Sequence, residues 1–375
     1  MRLAPYAALL TACVAIAGAC SLFVPFDDYA GTNATEAGSD ASAETDAEAD
    51  ARPLDPTCEG VNLSSDPSNC GACGRRCLAC DAGRCPIEIL ADDPDAGNVT
   101  SADLGRRGLD GGDPAIYFAR EAGVIARTDP DGGGYEAARA AGTTSLSFGA
   151  VNGVIGYNNV IEKFSSDHFL DADADVIANA RGVGPILYAA NRVFWGDADG
   201  MWWKVATKSN MSLTQFDAAV EFGPPVAITF SDAGFSFWTD TRGTVVTTAL
   251  KAPGALSPVI QAKAEGTTAI AVSVNHIYLT RRSLGLLVYD FDGNNATFAR
   301  QILLTDAESI VVDESHVYVT DLGGKVNGDD RLLRFDANGL SQLVLSDTVT
   351  GPRVFGVDDA YVYFSSGAKV ARIAK

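Results

Sequence analysis

Seven apolar–aromatic runs at near-constant spacing, strand-type alternation around them, and hairpin turn chemistry predict an all-β chain folded as a β-propeller of seven four-stranded blades. The runs centre on Tyr117, Ile155, Phe194, Phe237, Tyr278, Tyr318 and Tyr363, with steps of 38 to 45 residues. That is the period of one four-stranded blade. Each unit repeats one internal order. An apolar strand such as Ile270-Ala271-Val272-Ser273 is followed by a tight polar turn and then by the aromatic strand. A Gly-containing loop leads to a third strand, Leu286-Leu287-Val288-Tyr289 or Leu332-Leu333-Arg334-Phe335. Turn signals come next, at Asp129-Pro130-Asp131-Gly132, Asp292-Gly293-Asn294 and Asp336-Ala337-Asn338-Gly339; these residues tolerate the backbone angles of tight hairpins. A fourth strand such as Gln301-Ile302-Leu303-Leu304 closes the unit. β-branched content and alternation select strand over helix throughout.

The two ends of the repeat region explain how the ring shuts. The last unit supplies three strands and then the sequence given stops at Lys375. Upstream, residues 86–92 (Pro86-Ile87-Glu88-Ile89-Leu90-Ala91-Asp92) read like the missing fourth strand. Pairing the two removes an open sheet edge, which would otherwise invite aggregation. The weakest predicted strand is Val99 to Arg106, where polar residues interrupt the pattern, so six blades plus an irregular insert is the competing count.

The first 19 residues read as a signal peptide: Arg2, then an apolar stretch to Ala19, too short for a comfortable membrane span. Ala17-Gly18-Ala19-Cys20-Ser21 resembles the bacterial lipobox, in which the cysteine thiol is diacylated and becomes the new N-terminus. Ala17 departs from the pattern, which usually has Leu, Val or Ile there. The alternative is an ordinary signal peptide cut at Ala-Gly-Ala. The resemblance implies a lipid anchor on Cys20 holding the protein to a bilayer through a diacylglyceryl group. It also implies an exported protein at the outer membrane or cell surface, facing either the periplasm or the exterior. Residues 20–57 form the tether. From Asp27 to Pro56 there are nine carboxylates against the single Arg52; such a segment buries too little apolar surface to offset its ordering entropy.

Six cysteines follow within residues 58–85: Cys58, Cys70, Cys73, Cys77, Cys80 and Cys85. The Cys-x-x-Cys pairs have zinc-knuckle spacing, but only three residues separate them, fewer than a zinc ribbon needs. An even count in a small segment of an exported chain predicts three disulfides, of undetermined pairing. The segment around Ser65-Asp66-Pro67-Ser68-Asn69-Cys70-Gly71-Ala72-Cys73-Gly74 resembles a module of surface lipoproteins from soil-dwelling bacteria, where it stands between anchor and propeller. Residues 86–375 resemble a broad group of bacterial propellers with a Val-Tyr-aromatic-Thr-Asp repeat, seen at Phe237-Trp238-Thr239-Asp240 and Val317-Tyr318-Val319-Thr320-Asp321. That resemblance implies architecture and leaves function open.

Composition and motifs narrow the function. With 48 acidic and 28 basic residues the net charge is −20, which argues against a nucleic-acid partner. The three histidines show no catalytic or metal-ligand arrangement: His276 and His316 share a repeat position, and His168 stands alone. Asp171-x-Asp173-x-Asp175 and Asp290-x-Asp292 lack the closing Glu of a calcium loop, since the twelfth positions are Gly182 and Gln301. No cofactor or metal site is expected. Loops between second and third strands should gather on one face, where a ligand would be read. Their leading residues are Arg120, Asn158, Asp197, Asp240, Arg242, Arg281, Arg282 and Asp321. The expected role is a non-catalytic binding or scaffold module for an unidentified protein or glycan. The alternative is a propeller enzyme (a lyase, hydrolase or quinone-dependent dehydrogenase) acting at the channel mouth.

Overall fold

The repeats fold as seven four-stranded antiparallel sheets. The computed structural model describes residues 61–375 except 72–74, 78, 107–112, 141–142, 149–151, 158, 166–174, 198, 207–213, 217–221, 232, 262–265 and 324–329. The predicted signal peptide, Cys20 and acidic tether therefore lie outside the described residues, as do Cys58, Cys73 and His168. Blades one to six span 99–140, 143–179, 186–215, 225–260, 267–302 and 307–346, each from four consecutive strands. Blade seven joins three strands from 352–374 to Glu88–Asp92. First strands touch their neighbours' first strands all the way round, and blade seven meets blade one. The ring has seven blades, which removes the six-blade alternative.

The strand that looked poorest, Val99–Arg106, is a full eight-residue member of blade one, paired to Pro114–Arg120. Its polar residues have a positional reason. First strands form the channel wall, and their hydroxyls tie one blade to the next. Ser101 Oγ accepts the Leu146 N–H at 3.2 Å, Ser147 Oγ the Tyr188 N–H at 3.0 Å, and Ser309 Oγ the Val354 N–H at 2.9 Å. Thr268 Oγ1 donates to the Ala307 carbonyl at 2.8 Å.

Second strands carry the core. Consecutive aromatics such as Tyr117 and Phe118, Phe194 and Trp195, or Phe237 and Trp238 are at most 1% exposed. A blade is covered by a neighbour on both faces, so both side-chain rows are apolar and the run is continuous rather than alternating. Phe194 of blade three meets Trp238 of blade four edge-on at 6.5 Å. The predicted turns are present. Gly293 and Gly339 take φ of +96° and +72°, open to glycine without steric cost. Asp292 Oδ1 accepts the N–H groups of Asn294 and Asn295, so the Asp290–Asp292 run is a capped hairpin. Asp171 and Asp173 fall outside the described residues.

The predicted seam is in place. Glu88–Asp92 pairs antiparallel with Lys369–Ala374, Glu88 opposite Arg372 and Asp92 opposite Lys369. Arg372 donates to Glu88 Oε2 from Nε (2.9 Å) and Nη2 (2.6 Å), and its guanidinium lies 4.0 Å from the Tyr361 ring centre.

The cysteine segment packs onto this seam at the rim of the ring. Disulfides link Cys70 to Cys80 and Cys77 to Cys85. Cys70 and Cys85 are buried in one apolar cluster with Tyr318, Leu332 and Leu345 of blade six and Val362 and Ile373 of blade seven. Arg75, 3% exposed, donates to the Ala374 carbonyl at 3.2 Å; burial, with Arg334 nearby, lowers its pKa to about 10. Arg84 forms a bidentate ion pair with Asp347 just past the outer strand of blade six.

A second tie across the same two blades is Asp313, in the turn between the first two strands of blade six. It accepts from the N–H groups of Ser315 and His316, from the Tyr318 hydroxyl at 2.9 Å and from Lys375 Nζ at 2.7 Å. Burial alone would raise its pKa, but hydrogen bonds from His316, Lys375, Ser315 and Tyr318 hold it far below the ordinary carboxylate range. A depressed carboxylate stabilises the fold fully above its unfolded pKa, about 3.9, and loses that contribution as pH falls toward the folded value. Asp313→Asn is therefore expected to destabilise the protein most at pH 7, with a clearly smaller deficit at about pH 2. Urea midpoints at both pH values test this, and an equal deficit at both would contradict it.

Candidate functional site at the channel mouth

Six blades share one local device. The first strand of every blade but the third carries a β-bulge, near its start in blades one, two, four, five and six and mid-strand in blade seven. Blades one, four and five place Thr100, Val226 and Thr268 in the bulge; blade six places Glu308 and Ser309, and blade seven Phe355. A bulge re-aims a side chain out of the sheet's regular alternation. Every one of these residues lines a single cavity of ≈ 740 Å³ on the face of the second-to-third-strand loops. Ligand pockets span roughly 300–1,000 Å³, so the size is that of a binding site.

The cavity wall mixes hydroxyls with apolar side chains and, among the described residues, adds two guanidinium groups and one carboxylate. Arg353 Nη2 meets Glu308 Oε1 at 2.5 Å, so blade seven and blade six are ion-paired at the wall. Arg282, 64% exposed, reaches Asp306 only at 3.8 Å, beyond hydrogen-bond distance. Thr267, 5% exposed and on the wall, keeps its hydroxyl without a hydrogen-bond partner among the described residues. Among the described residues no histidine lines the cavity, and Glu308 is the one lining carboxylate.

Of the eight loop residues expected to read a ligand, Arg282 lines the cavity. Arg120, Asp197, Asp240, Arg281 and Asp321 are buried at the ends of second strands. Four of them hold the connector that enters their own blade. Asp240 Oδ2 accepts the Gly223 N–H at 2.8 Å, and Asp321 Oδ1 the Asp306 N–H at 2.8 Å. Asp197 Oδ2 accepts the Arg181 N–H at 3.4 Å. Arg120 Nη1 lies within 3.2 Å of the Asp93, Gly97 and Ala368 carbonyls. The Asp of the repeat signature thus anchors connectors at Asp240 and Asp321. Arg242 pairs with Asp240 at 3.2 Å, and Asn158 lies outside the described residues.

His276 and His316 sit at the opposite ends of their strands, His276 3.4 Å from Asp290 and His316 3.7 Å from Asp313. Trp202 stacks on Trp195 and donates to Asp197 Oδ1 at 2.8 Å, a packing role within blade three. Sequence reasoning missed Arg353, Glu308 and the wall hydroxyls because it looked for a site in loops. The available signal was the hydroxyl-rich opening of several first strands, Thr100-Ser101, Thr267-Thr268 and Glu308-Ser309.

No protein-family model matches the chain, and no curated protein matches it. Solved structures do resemble it. YCF48 from Cyanidioschyzon merolae superposes with a TM-score of 0.57 at 14% identity, over 77% of this chain and 98% of that one. A catalytically inactive virginiamycin B lyase from Staphylococcus aureus with quinupristin gives 0.57 at 10% identity, over 77% and 99%. YCF48 bound to D1 peptide gives 0.56 at 10% identity, over 77% and 96%. The likeness is one of fold. At such identities shared function does not follow from shared architecture.

Proposed function

We propose that the chain is a non-catalytic, exported binding module whose channel mouth holds a segment of a protein partner. The observation that carries this reading is the wall of the mouth cavity. It offers hydroxyls and two guanidinium groups, Arg353 on a first strand and Arg282 just past the end of a second, while its one carboxylate among the described residues is already engaged by Arg353. Acid–base catalysis by paired carboxylates or a histidine needs groups that the described residues of the wall do not contribute. A propeller of this shape holding a peptide, YCF48 with D1 peptide, supports a protein partner. In this reading Cys20 is lipidated and residues 20–57 tether the ring. The cysteine segment packs between blades six and seven, and none of its described residues lines the cavity.

The test is photo-crosslinking in intact membranes from Thr241 and Ser365 at the cavity, with Val274, 79% exposed in a turn of blade five, as the control. A discrete adduct from the two cavity positions and none from Val274 is expected. Equal adducts from all three, or none from the cavity, would overturn the reading. The anchor has its own check: Cys20→Ala is expected to move the protein from the membrane to the soluble fraction, and an unchanged distribution would remove lipidation from the account.

A further inference from the structure

We infer that the group read at the mouth is a carboxylate on an extended peptide, whether a chain end or an Asp or Glu side chain. The inference rests on the binding reading above and names its chemistry. In a chain of net charge −20, the cavity wall carries two guanidinium groups against one carboxylate. A guanidinium has five N–H donors in a planar fork that matches a carboxylate. Arg282 makes no side-chain hydrogen bond among the described residues, its contact to Asp306 being 3.8 Å. Arg353 commits one nitrogen, to Glu308. Most donors of two cations are therefore unspent beside a cavity of ≈ 740 Å³.

The remaining wall fits a peptide attached to that group. Thr241 and Ser365 supply hydroxyls, and the Thr267 hydroxyl is buried without a hydrogen-bond partner among the described residues. Hydroxyls serve both the N–H and C=O groups of a backbone. Val226, Val354 and Phe355 add apolar surface for a neighbouring side chain. An acidic sugar would match the cations but would leave that apolar surface without a use.

Glu308 gives the proposal a signature. It lies against Arg353 and competes with an incoming carboxylate for the same donors. Removing its charge should tighten binding, whereas a merely structural pair would lose stability and affinity together.

The experiment uses the full mature protein in detergent. Its probes are an array of random octapeptides with free or amidated C-termini and with Asp/Glu or Asn/Gln inside, beside a set of uronic-acid oligosaccharides. Binding that requires a carboxylate, falls about tenfold or more in Arg282→Gln and rises in Glu308→Gln is expected. The free and amidated arms separate a chain end from a side chain. Selection of neutral or basic peptides, unaffected by Arg282→Gln, would overturn the carboxylate while leaving a peptide-binding mouth. Binding of the oligosaccharides alone would overturn the peptide. Binding of no probe would overturn this inference, and the membrane crosslinks then decide separately whether the mouth has a partner at all. Circular dichroism of both variants separates lost affinity from lost fold.

Discussion

A protein in which Cys77 and Cys85 are both replaced by serine is expected to lose about 2–4 kcal/mol of stability, with the first unfolding at blades six and seven. The disulfides span sequence separations of only 8 and 10 residues, so each restricts a short loop. Their larger effect comes from what the cross-linked segment covers. It buries Cys70 and Cys85 with side chains of both blades beside the seam, and it places the Arg75 guanidinium against the end of the last strand at Ala374. Once the segment detaches, that apolar cluster faces solvent and the strand Glu88–Asp92 loses the anchor preceding it. Gly71→Ala should act in the same direction without touching a cysteine. Gly71 has φ of +70°, and a side-chain carbon there would collide with the Gly83 carbonyl. Denaturant titration with and without reductant measures the effect. A wild-type protein equally stable in both conditions would contradict the clasp.

The second large effect is expected at Asp240. Asp240→Ala should cost about 2–4 kcal/mol, because the fully buried carboxylate accepts four hydrogen bonds: from the N–H groups of Gly223, Arg242 and Thr244, and from Arg242 Nε. Hydrogen bonds to a buried charge are among the stronger ones, and their donors would be left unpaired. Arg242→Ala removes only a half-exposed partner and should cost well under 1 kcal/mol. The contrast separates an anchor of the fold from a reader of ligand. Thermal melts of both variants, with peptide binding measured on whatever remains folded, supply the comparison. An Asp240→Ala protein of wild-type stability that no longer binds would return the residue to the ligand face.

The architecture was legible because it is written in local signals. Aromatic runs such as Val317-Tyr318-Val319 recur at blade period, and turns such as Asp292-Gly293-Asn294 have few other uses. Even the seam could be read, since Pro86 to Asp92 matches the fourth strands elsewhere. The site was less legible because its chemistry is relational. Asp240 and Asp321 look like exposed loop charges in one dimension, and only folding shows that their partners are backbone groups of a connector some 15 residues upstream. Arg353 and Glu308 are 45 residues apart and meet because first strands of adjacent blades lie side by side. Ser101 and Thr100 weakened the prediction of the strand that contains them, for a reason that is itself functional: channel-wall strands trade apolar side chains for hydroxyls.

The central structural claim is that a disulfide-clasped N-terminal strand closes the ring at its rim and leaves the mouth open. Hydrogen exchange read by mass spectrometry tests it most directly, following residues 88–92 and 369–374 together in oxidised and reduced protein. The account predicts that both segments are protected like the strands of blade five when oxidised, and that both lose protection together on reduction. Fast exchange of residues 88–92 beside a protected 369–374 in the oxidised protein would contradict it.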